Sequence, residues 1–167
     1  MTRREVQPDP VGEGQESAWG YPRPPALVPS DRHIVIRLGG TVIAETRRPW
    51  RVLETSHPPT WYVPRADVTP GVLRRSSAAP TVCEWKGQAT YWDVVLPDGV
   101  VPAALWSYES PTAPFAEMAG AVTGYPARLE CLVDGEQARP QEGRFYGGWI
   151  TDDVVGPFKG GPETWAW

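Results

Sequence analysis

The chain has very little lysine. Of its 16 basic Lys and Arg residues, only Lys86 and Lys159 are lysines, and the formal net charge is −4. The arginines form local pairs, such as Arg47-Arg48 and Arg74-Arg75, rather than a basic stripe. Because a protein that binds nucleic acid needs a basic surface to neutralise phosphates, this charge pattern argues against a nucleic-acid partner.

Long apolar runs and metal-binding patterns are also missing. No segment approaches the ~18 apolar residues that a membrane-spanning helix needs, and residues 1–17 lack the apolar centre of a signal peptide. We therefore expect a cytoplasmic protein without a membrane partner. Two cysteines, Cys83 and Cys131, and two widely separated histidines make no zinc pattern. We expect free thiols, with Cys131 buried as a small hydrophobe, and neither a metal nor a cofactor.

What the chain has in quantity is proline, glycine and tryptophan, with 20 Pro, 17 Gly and nine Trp in 167 residues. Frequent proline and glycine predict short elements. Tryptophan contributes a large apolar face and an N–H that needs a partner, which suits a pocket wall as well as a core. The length allows one compact domain or two closely packed halves, with a core that needs no disulfide.

Alternating apolar residues predict strands along most of the chain. Gly39-Gly40 has the composition of a tight hairpin turn, and the single clear helix candidate, 114–121, follows Thr112 as its N-cap. The fold class is therefore all-β or nearly so, with at most one or two short helices. The predicted strands cover 33–38, 41–46, 49–54, 61–63, 81–86, 89–96, 129–133, 145–150 and 163–167.

The two lysines stand in matching settings. In Trp85-Lys86-Gly87 and Phe158-Lys159-Gly160 an aromatic residue precedes the lysine and a glycine follows it, and Trp92 and Trp165 come six residues after the two lysines. Further landmarks recur in the same order, including Trp61-Tyr62 with Phe145-Tyr146, and Asp67-Val68 with Asp153-Val154. This order predicts a duplication. The predicted parts are a flexible arm over 1–17, a first β unit over 18–96, a connection over 97–104 and a second β unit over 105–167, packed as one compact domain.

Several motifs together resemble the domain of unknown function 427 family. They are Leu53-Glu54-Thr55-Ser56-His57-Pro58-Pro59, Cys83-Glu84-Trp85-Lys86-Gly87 followed by Tyr91-Trp92, and Trp106-Ser107-Tyr108. The resemblance covers about residues 17 to 167. It implies a compact tent-like or barrel-like β fold built from two pseudosymmetric meander units. Some relatives carry one unit, and this chain resembles the tandem double form.

The family is sometimes filed under a nucleotidyltransferase-like name, which these residues support weakly. Nucleotidyl transfer uses clustered carboxylates that hold a divalent metal, and backbone N–H groups around the phosphates. Asp152 and Asp153 are adjacent and would point to opposite faces of a strand, and the chain has no P-loop. Nothing in the spacing of Glu54, Asp67 and Glu84 demands a metal site.

An enzymatic hypothesis based on nucleophiles stays open. Cys83 and Lys86 lie three residues apart, so that the ammonium could activate the thiol, and His57 could serve as the base. A transferase-like reaction that uses Lys86 and Asp67 is a second enzymatic possibility. Against catalysis, the second predicted unit has no matching cysteine or histidine, and a loop histidine is more often structural. A protein-interaction module is a further alternative.

The favoured hypothesis is a pocket for a small molecule. Each predicted unit supplies an aromatic pair, an aspartate, a lysine and a tryptophan, and aromatic walls with a few placed polar groups suit a small ligand. We expect Lys86 at the mouth, where it can hold an anionic head group while the rings take the apolar part. The predicted ligand-binding residues are Glu54, His57, Trp61, Tyr62, Asp67, Cys83, Trp85, Lys86, Tyr91, Trp92, Tyr146, Trp149, Asp153, Lys159 and Trp165.

Overall fold

The computed structural model describes residues 5–143 and 146–167, and these residues are mostly β. This confirms the predicted fold class. The helical content consists of 3-10 helices at Ala18–Gly20, Arg65–Asp67 and Ala113–Met118, and within the described ranges no helix is long and apolar enough to cross a membrane. The strands are β1 (Glu16–Ser17), β2 (Ala26–Pro29), β3 (Ile34–Leu38), β4 (Thr41–Thr46), β5 (Trp50–Leu53), β6 (Thr60–Tyr62), β7 (Leu73–Arg75), β8 (Thr81–Cys83), β9 (Gly87–Leu96), β10 (Gly99–Ser107), β11 (Val122–Gly124), β12 (Glu130–Val133), β13 (Glu136–Gln137), β14 (Arg139–Pro140), β15 (Trp149–Ile150) and β16 (Val154–Val155).

The strands of the described residues form five small sheets. The largest has the order β11-β10-β9-β7, with β8 also paired to β9, and the next has the order β13-β12-β3-β4. A three-stranded sheet, β2-β5-β6, and the pairs β1-β16 and β14-β15 complete the set. Short sheets of this kind follow from the frequent proline and glycine, because proline removes a ladder donor and glycine favours turns.

Three hydrophobic clusters form within the described residues, and two of them are large. The main cluster joins the two largest sheets and includes Ile34 and Ile36 of β3, Val94 of β9 and Leu105 of β10, all of them fully buried. The second cluster contains Val52, Tyr62, Ala89, Trp106, Tyr108, Phe115, Met118 and Ala121. Burial of large apolar side chains is the main stabilising term in folding. The second cluster also lies against the candidate site described below.

The first predicted hairpin is confirmed. β4 has the predicted bounds and β3 begins one residue later than predicted. Gly39 and Gly40 join them in a two-residue turn with φ angles of 55° and 83°, values that glycine adopts without a steric penalty. The strands predicted over 49–54, 61–63, 89–96 and 129–133 also appear, as β5, β6, β9 and β12 with shifted ends.

Three predicted elements differ from the structure. The strand predicted over 81–86 ends at Cys83, because residues 84–86 form the turn into β9. The stretch 163–167 is a series of turns instead of a strand; it starts from Glu163 with a φ of 68°. The helix predicted over 114–121 is the 3-10 helix Ala113–Met118, and the Thr112 hydroxyl donates to the Trp85 carbonyl (2.6 Å) instead of capping it.

The predicted strand 145–150 is present only as β15, and Phe145 lies outside the described residues. Sequence patterns also missed β10, which is nine residues long. Pro102 interrupts its apolar run, the register against β9 shifts between Val101 and Leu105, and Ala103 has a φ of 49°. A proline within a run argues against a strand, and here a bulge accommodates it.

Strands from both predicted units share sheets. β12, from the second unit, pairs antiparallel with β3, from the first. At the end of the predicted N-terminal arm, β1 pairs parallel with β16, and the Asp9 amide donates to the Gly156 carbonyl (2.8 Å). The predicted duplication itself stays a prediction.

The two cysteines are free thiols in different environments. Cys131 is fully buried in the main cluster, as predicted, and burial raises the pKa of its thiol. It therefore packs as a small apolar side chain. Cys83 is partly exposed at the end of β8.

Candidate functional site

A cavity of about 750 Å³ opens beside the second hydrophobic cluster. We call it the aromatic cavity. Its walls come from β5, β6, the β8–β9 hairpin and β10, and from the later part of the chain. Its Trp and Tyr residues are Tyr62, Trp85, Tyr91, Trp106, Tyr108, Tyr125, Tyr146 and Trp167. The lining side chains that carry a charge or an imidazole are Arg23, Glu54, His57, Glu84, Lys86 and Lys159.

Nine of the fifteen predicted site residues line this cavity. They are Glu54, His57, Tyr62, Cys83, Trp85, Lys86, Tyr91, Tyr146 and Lys159. The six that lie elsewhere are Trp61, Asp67, Trp92, Trp149, Asp153 and Trp165. The lining residues come from both predicted units, so that the cavity is shared between the two stretches.

The tryptophans outside the cavity have other surroundings. Trp61 and Trp149 are buried in the main cluster, where the Trp149 indole donates to the Gly124 carbonyl (3.0 Å). Trp92 donates to the Ser107 hydroxyl (2.9 Å) and lies under the Arg65 guanidinium. Trp165 is 84% exposed. Trp61 and Trp149 are therefore core residues, and Trp92 packs against the core from its edge.

The two predicted aspartates pair with arginines and not with the lysines. Asp67 accepts hydrogen bonds from Thr46 (2.6 Å) and Arg48 (3.1 Å), and the Arg48 hydrogen bond is the main cause that lowers the pKa of Asp67. Asp153 is paired with Arg32 (2.5 Å). Both carboxylates lie outside the aromatic cavity and form ion pairs with arginines near the protein surface.

Lys86 is the last residue of the turn between β8 and β9. Two bonds from Thr112 hold this turn: its amide donates to the Lys86 carbonyl (3.1 Å) and its hydroxyl to the Trp85 carbonyl. Because residues 84–86 form a turn, strand alternation does not separate Trp85 from Lys86, and both line the cavity. The Lys86 ammonium lies 5.6 Å from the centroid of the Tyr108 ring.

Lys159 reaches the same cavity from the other side. Its ammonium lies 5.8 Å from the centroid of the Tyr146 ring and donates to the Trp167 carbonyl (3.2 Å). Each lysine therefore sits over a tyrosine ring, an arrangement in which the negative face of the ring attracts the cation. Within the described residues, the Lys86 ammonium has neither a hydrogen bond nor an ion pair.

His57 is held on both ring nitrogens. Its Nε2 lies 2.9 Å from the Glu54 carboxylate, and its Nδ1 lies 3.3 Å from Nε2 of Gln141. The Gln141 oxygen accepts from the Gly148 amide (3.1 Å), which fixes the side-chain amide so that its N–H groups face His57 and the Lys159 carbonyl. His57 Nδ1 must then accept a hydrogen bond, and Nε2 carries the proton that it donates to Glu54.

Both ring nitrogens of His57 are therefore occupied by hydrogen bonds. With Nδ1 accepting from Gln141 and Nε2 donating to Glu54, neither nitrogen is free to take a proton from a substrate. Burial of Glu54 opposes its ionisation, but the hydrogen bond from His57 and the nearby charges of Arg23 and Lys86 outweigh it and hold the pKa of Glu54 below its ordinary value. Glu54 is therefore an ionised carboxylate that anchors the imidazole.

Three of the tyrosines that line the cavity have hydroxyls with a raised pKa. The Tyr62 hydroxyl is completely buried and has no hydrogen-bond partner among the described residues. The Tyr62 and Tyr108 rings are 6.4 Å apart between centroids. Burial raises the pKa of both hydroxyls, and it raises the pKa of Tyr125 to about 12. These phenols stay protonated and can donate hydrogen bonds at neutral pH.

The described part of the chain has no group of three or more His, Cys, Asp or Glu residues arranged to hold a metal ion. Of the three carboxylates considered for a metal site, Glu54 and Glu84 line the aromatic cavity, whereas Asp67 lies in a separate surface hollow with Arg48. The cavity itself offers aromatic walls, phenol donors and ammonium groups. It is suited to holding an anionic group beside a flat apolar body.

Sequence patterns missed several cavity residues. Trp106 and Tyr108 belong to a motif that carried the family resemblance, so a signal for them was present. The Trp106 and Tyr125 rings pack at a tilt of 41°, with their centroids 4.4 Å apart. Gln141 carried no signal, since its role depends on its contact with His57, which is 84 positions away in the sequence.

A comparison with protein families finds a match. The family model described as Domain of unknown function (DUF427), with the label NTP_transf_9, matches residues 26–135. This match crosses the boundary between the two predicted units. The search of curated proteins gives no match. Part of the cavity wall, from Gln141 to Trp167, follows the matched region.

Proposed function

The chain belongs to the Domain of unknown function (DUF427) family, and we propose that it binds a small aromatic molecule with an anionic group in the aromatic cavity. The observation that carries the proposal is the placement of the two lysines. They are the only lysines of the chain, and both line one cavity, each over a tyrosine ring.

Size and lining support this function. A volume of about 750 Å³ falls within the roughly 300–1,000 Å³ typical of small-molecule sites. The rings supply flat apolar walls, and the Lys86 ammonium faces the cavity without an ionic partner among the described residues. A bound anion would complete the coordination of that ammonium, because an ammonium provides three donors and no acceptor.

The proposal is tested by thermal unfolding in the presence of small compounds. The set contains aromatic acids, amides and amines, and also nucleotides with Mg²⁺ because of the label that the family model carries. We expect an aromatic acid at about 100 times its Kd to raise Tm by several degrees, since such a ligand adds roughly 2.7 kcal/mol to the free energy of unfolding. Lys86→Met should lose most of this increase.

Arg37→Met is the matched control. Arg37 is exposed on β3 and pairs with Glu130, outside the cavity, and its substitution removes the same unit of charge. We expect it to keep the full ligand-induced increase in Tm. The proposal is overturned if no compound of the set stabilises the protein, or if Lys86→Met and Arg37→Met respond equally.

A further inference from the structure

The Tyr62 hydroxyl is a buried donor without a partner. Three buried side-chain polar atoms lack a hydrogen bond within the described residues: the hydroxyl oxygens of Ser56, Tyr62 and Thr123. Of these residues only Tyr62 lines the aromatic cavity. Buried polar groups in folded proteins are nearly always paired, and an exception points to a missing water or ligand.

Two further donor side chains lie near the Tyr62 ring in the cavity wall. The Tyr108 ring is packed against the Tyr62 ring, and the Lys86 ammonium lies over the Tyr108 ring. Burial and, to a smaller extent, the neighbouring Tyr62 raise the pKa of the Tyr108 hydroxyl, and the nearby positive charge of Lys86 lowers it. The cavity wall therefore presents the Tyr62 and Tyr108 phenols beside the Lys86 ammonium.

The charges around the cavity favour a single negative charge on the ligand. Arg23 lies 3.7 Å from Glu54, which also accepts from His57. The Lys159 ammonium already donates to the Trp167 carbonyl. Of these cations, Lys86 is the one left without an oxygen partner among the described residues. A dianionic ligand would also be repelled by the ionised Glu54, whose pKa is raised by burial but lowered further by the His57 hydrogen bond and by nearby charges that include Lys86.

We propose that the Tyr62 and Tyr108 hydroxyls and the Lys86 ammonium form a subsite for the carboxylate of an aromatic acid. This inference rests on the proposed function and specifies its ligand class. A carboxylate has two oxygens that together accept several hydrogen bonds, which matches the phenols and the ammonium. The ring of the acid then packs against Trp106 and the other aromatic walls.

The test compares benzoate and indole-3-carboxylate with benzamide and phenylphosphonate. Binding is measured by calorimetry on the full chain and on the variants Tyr62→Phe and Tyr108→Phe. We expect the carboxylates to bind more tightly than the neutral amide or the dianion. Each substitution should weaken carboxylate binding by about tenfold or more, because it removes a hydrogen bond to a charged group.

Tyr21→Phe is the matched control. Tyr21 lies outside the cavity, and its hydroxyl donates to the Glu16 carboxylate (2.7 Å). We expect this variant to bind carboxylates within about threefold of the wild-type protein and to have a lower Tm without ligand. Tyr62→Phe should not lower Tm without ligand, since it removes an unpaired hydroxyl. A loss of binding without a loss of Tm in Tyr62→Phe, and the reverse in the control, would distinguish a role in binding from a role in packing.

The possible outcomes separate this inference from the proposed function. If carboxylates bind and Lys86→Met weakens them, but Tyr62→Phe does not, the hydroxyl faces only water and the subsite is wrong while the proposed function stands. Tighter binding of benzamide or phenylphosphonate would likewise overturn the carboxylate class alone. If neither these probes nor the wider set of compounds binds, the proposed function and the subsite fall together.

Discussion

At the scale of the residue, the two lysines of the chain, Lys86 and Lys159, both line one cavity. Asp67 and Asp153, which accompany the lysines in the repeated sequence pattern, pair with arginines elsewhere. A chain with fourteen arginines offers many partners for any carboxylate. The sequence could therefore identify the lysines but not which residues they contact.

Glu54 gives a prediction for the pH dependence of stability. Its folded pKa lies below the ordinary value of about 4.5, so its contribution is fully present above that pH and is lost as the pH falls through the lowered pKa. We expect Glu54→Gln to reduce the free energy of unfolding by about 1–3 kcal/mol at pH 7. The difference from wild type should shrink towards pH 3, as measured by urea unfolding.

Glu84→Gln is the control for this measurement. Glu84 lines the same cavity but is exposed and forms no ion pair among the described residues. Its substitution should stay within about 0.5 kcal/mol of wild type at both pH values. If the difference for Glu54→Gln is the same at pH 7 and at pH 3, the ionised Glu54 does not stabilise the fold.

At the scale of the element, the β8–β9 hairpin sets the position of Lys86. Gly87 follows the lysine with a φ of 106°, outside the region that other residues adopt easily. A Cβ there would lie 3.6 Å from the Ser110 carbonyl, an ordinary contact, so the cost is in the backbone. We expect Gly87→Ala to lower stability by roughly 1–3 kcal/mol and to weaken ligand binding, because the turn must shift.

Gly39→Ala tests whether this effect is specific to the cavity. Gly39 occupies the β3–β4 turn with a φ of 55°, a Cβ added to it would meet no other atom within 4 Å, and it does not line the cavity. We expect a loss of about 1 kcal/mol with unchanged ligand affinity. Equal losses of affinity in both variants would show that general stability, and not the turn, controls binding.

Local patterns predicted elements well where a single interaction decides them. The hairpin at Gly39-Gly40 needs only two residues with positive φ angles, and two consecutive glycines in the sequence indicate such a turn directly. β10 depends on pairing with both β9 and β11, and that pairing overrides the proline at Pro102. At 163–167 the aromatic residues suggested a strand, but the Gly160-Gly161-Pro162 sequence before them starts a series of turns.

At the scale of the whole molecule, the cavity depends on contacts between distant parts of the chain. The region matched by the family model contributes Tyr62, Tyr108 and the turn that carries Lys86. The segment after it supplies Gln141, which fixes His57, and Lys159. Such contacts leave no periodic pattern in a sequence. The composition of the site could therefore be predicted in part, while its assembly could not.

The two stretches of the predicted duplication are in contact with each other in the fold. Both marked lysines face one shared cavity, and β3 and β12 belong to one sheet. These facts describe how the two stretches are interleaved. Whether the stretches are equivalent in structure stays a prediction.

The binding of a small molecule between the two lysines is tested most directly by NMR on the lysine side chains. Lysine-selective ¹³C labelling gives two side-chain signals, one each for Lys86 and Lys159, because the chain has no other lysine. Titration with indole-3-carboxylate should shift the Lys86 signal saturably, with the Kd found by calorimetry, and Tyr62→Phe should weaken that Kd. If both signals stay unchanged while the compound raises Tm, it binds elsewhere, and the assignment of the aromatic cavity is contradicted.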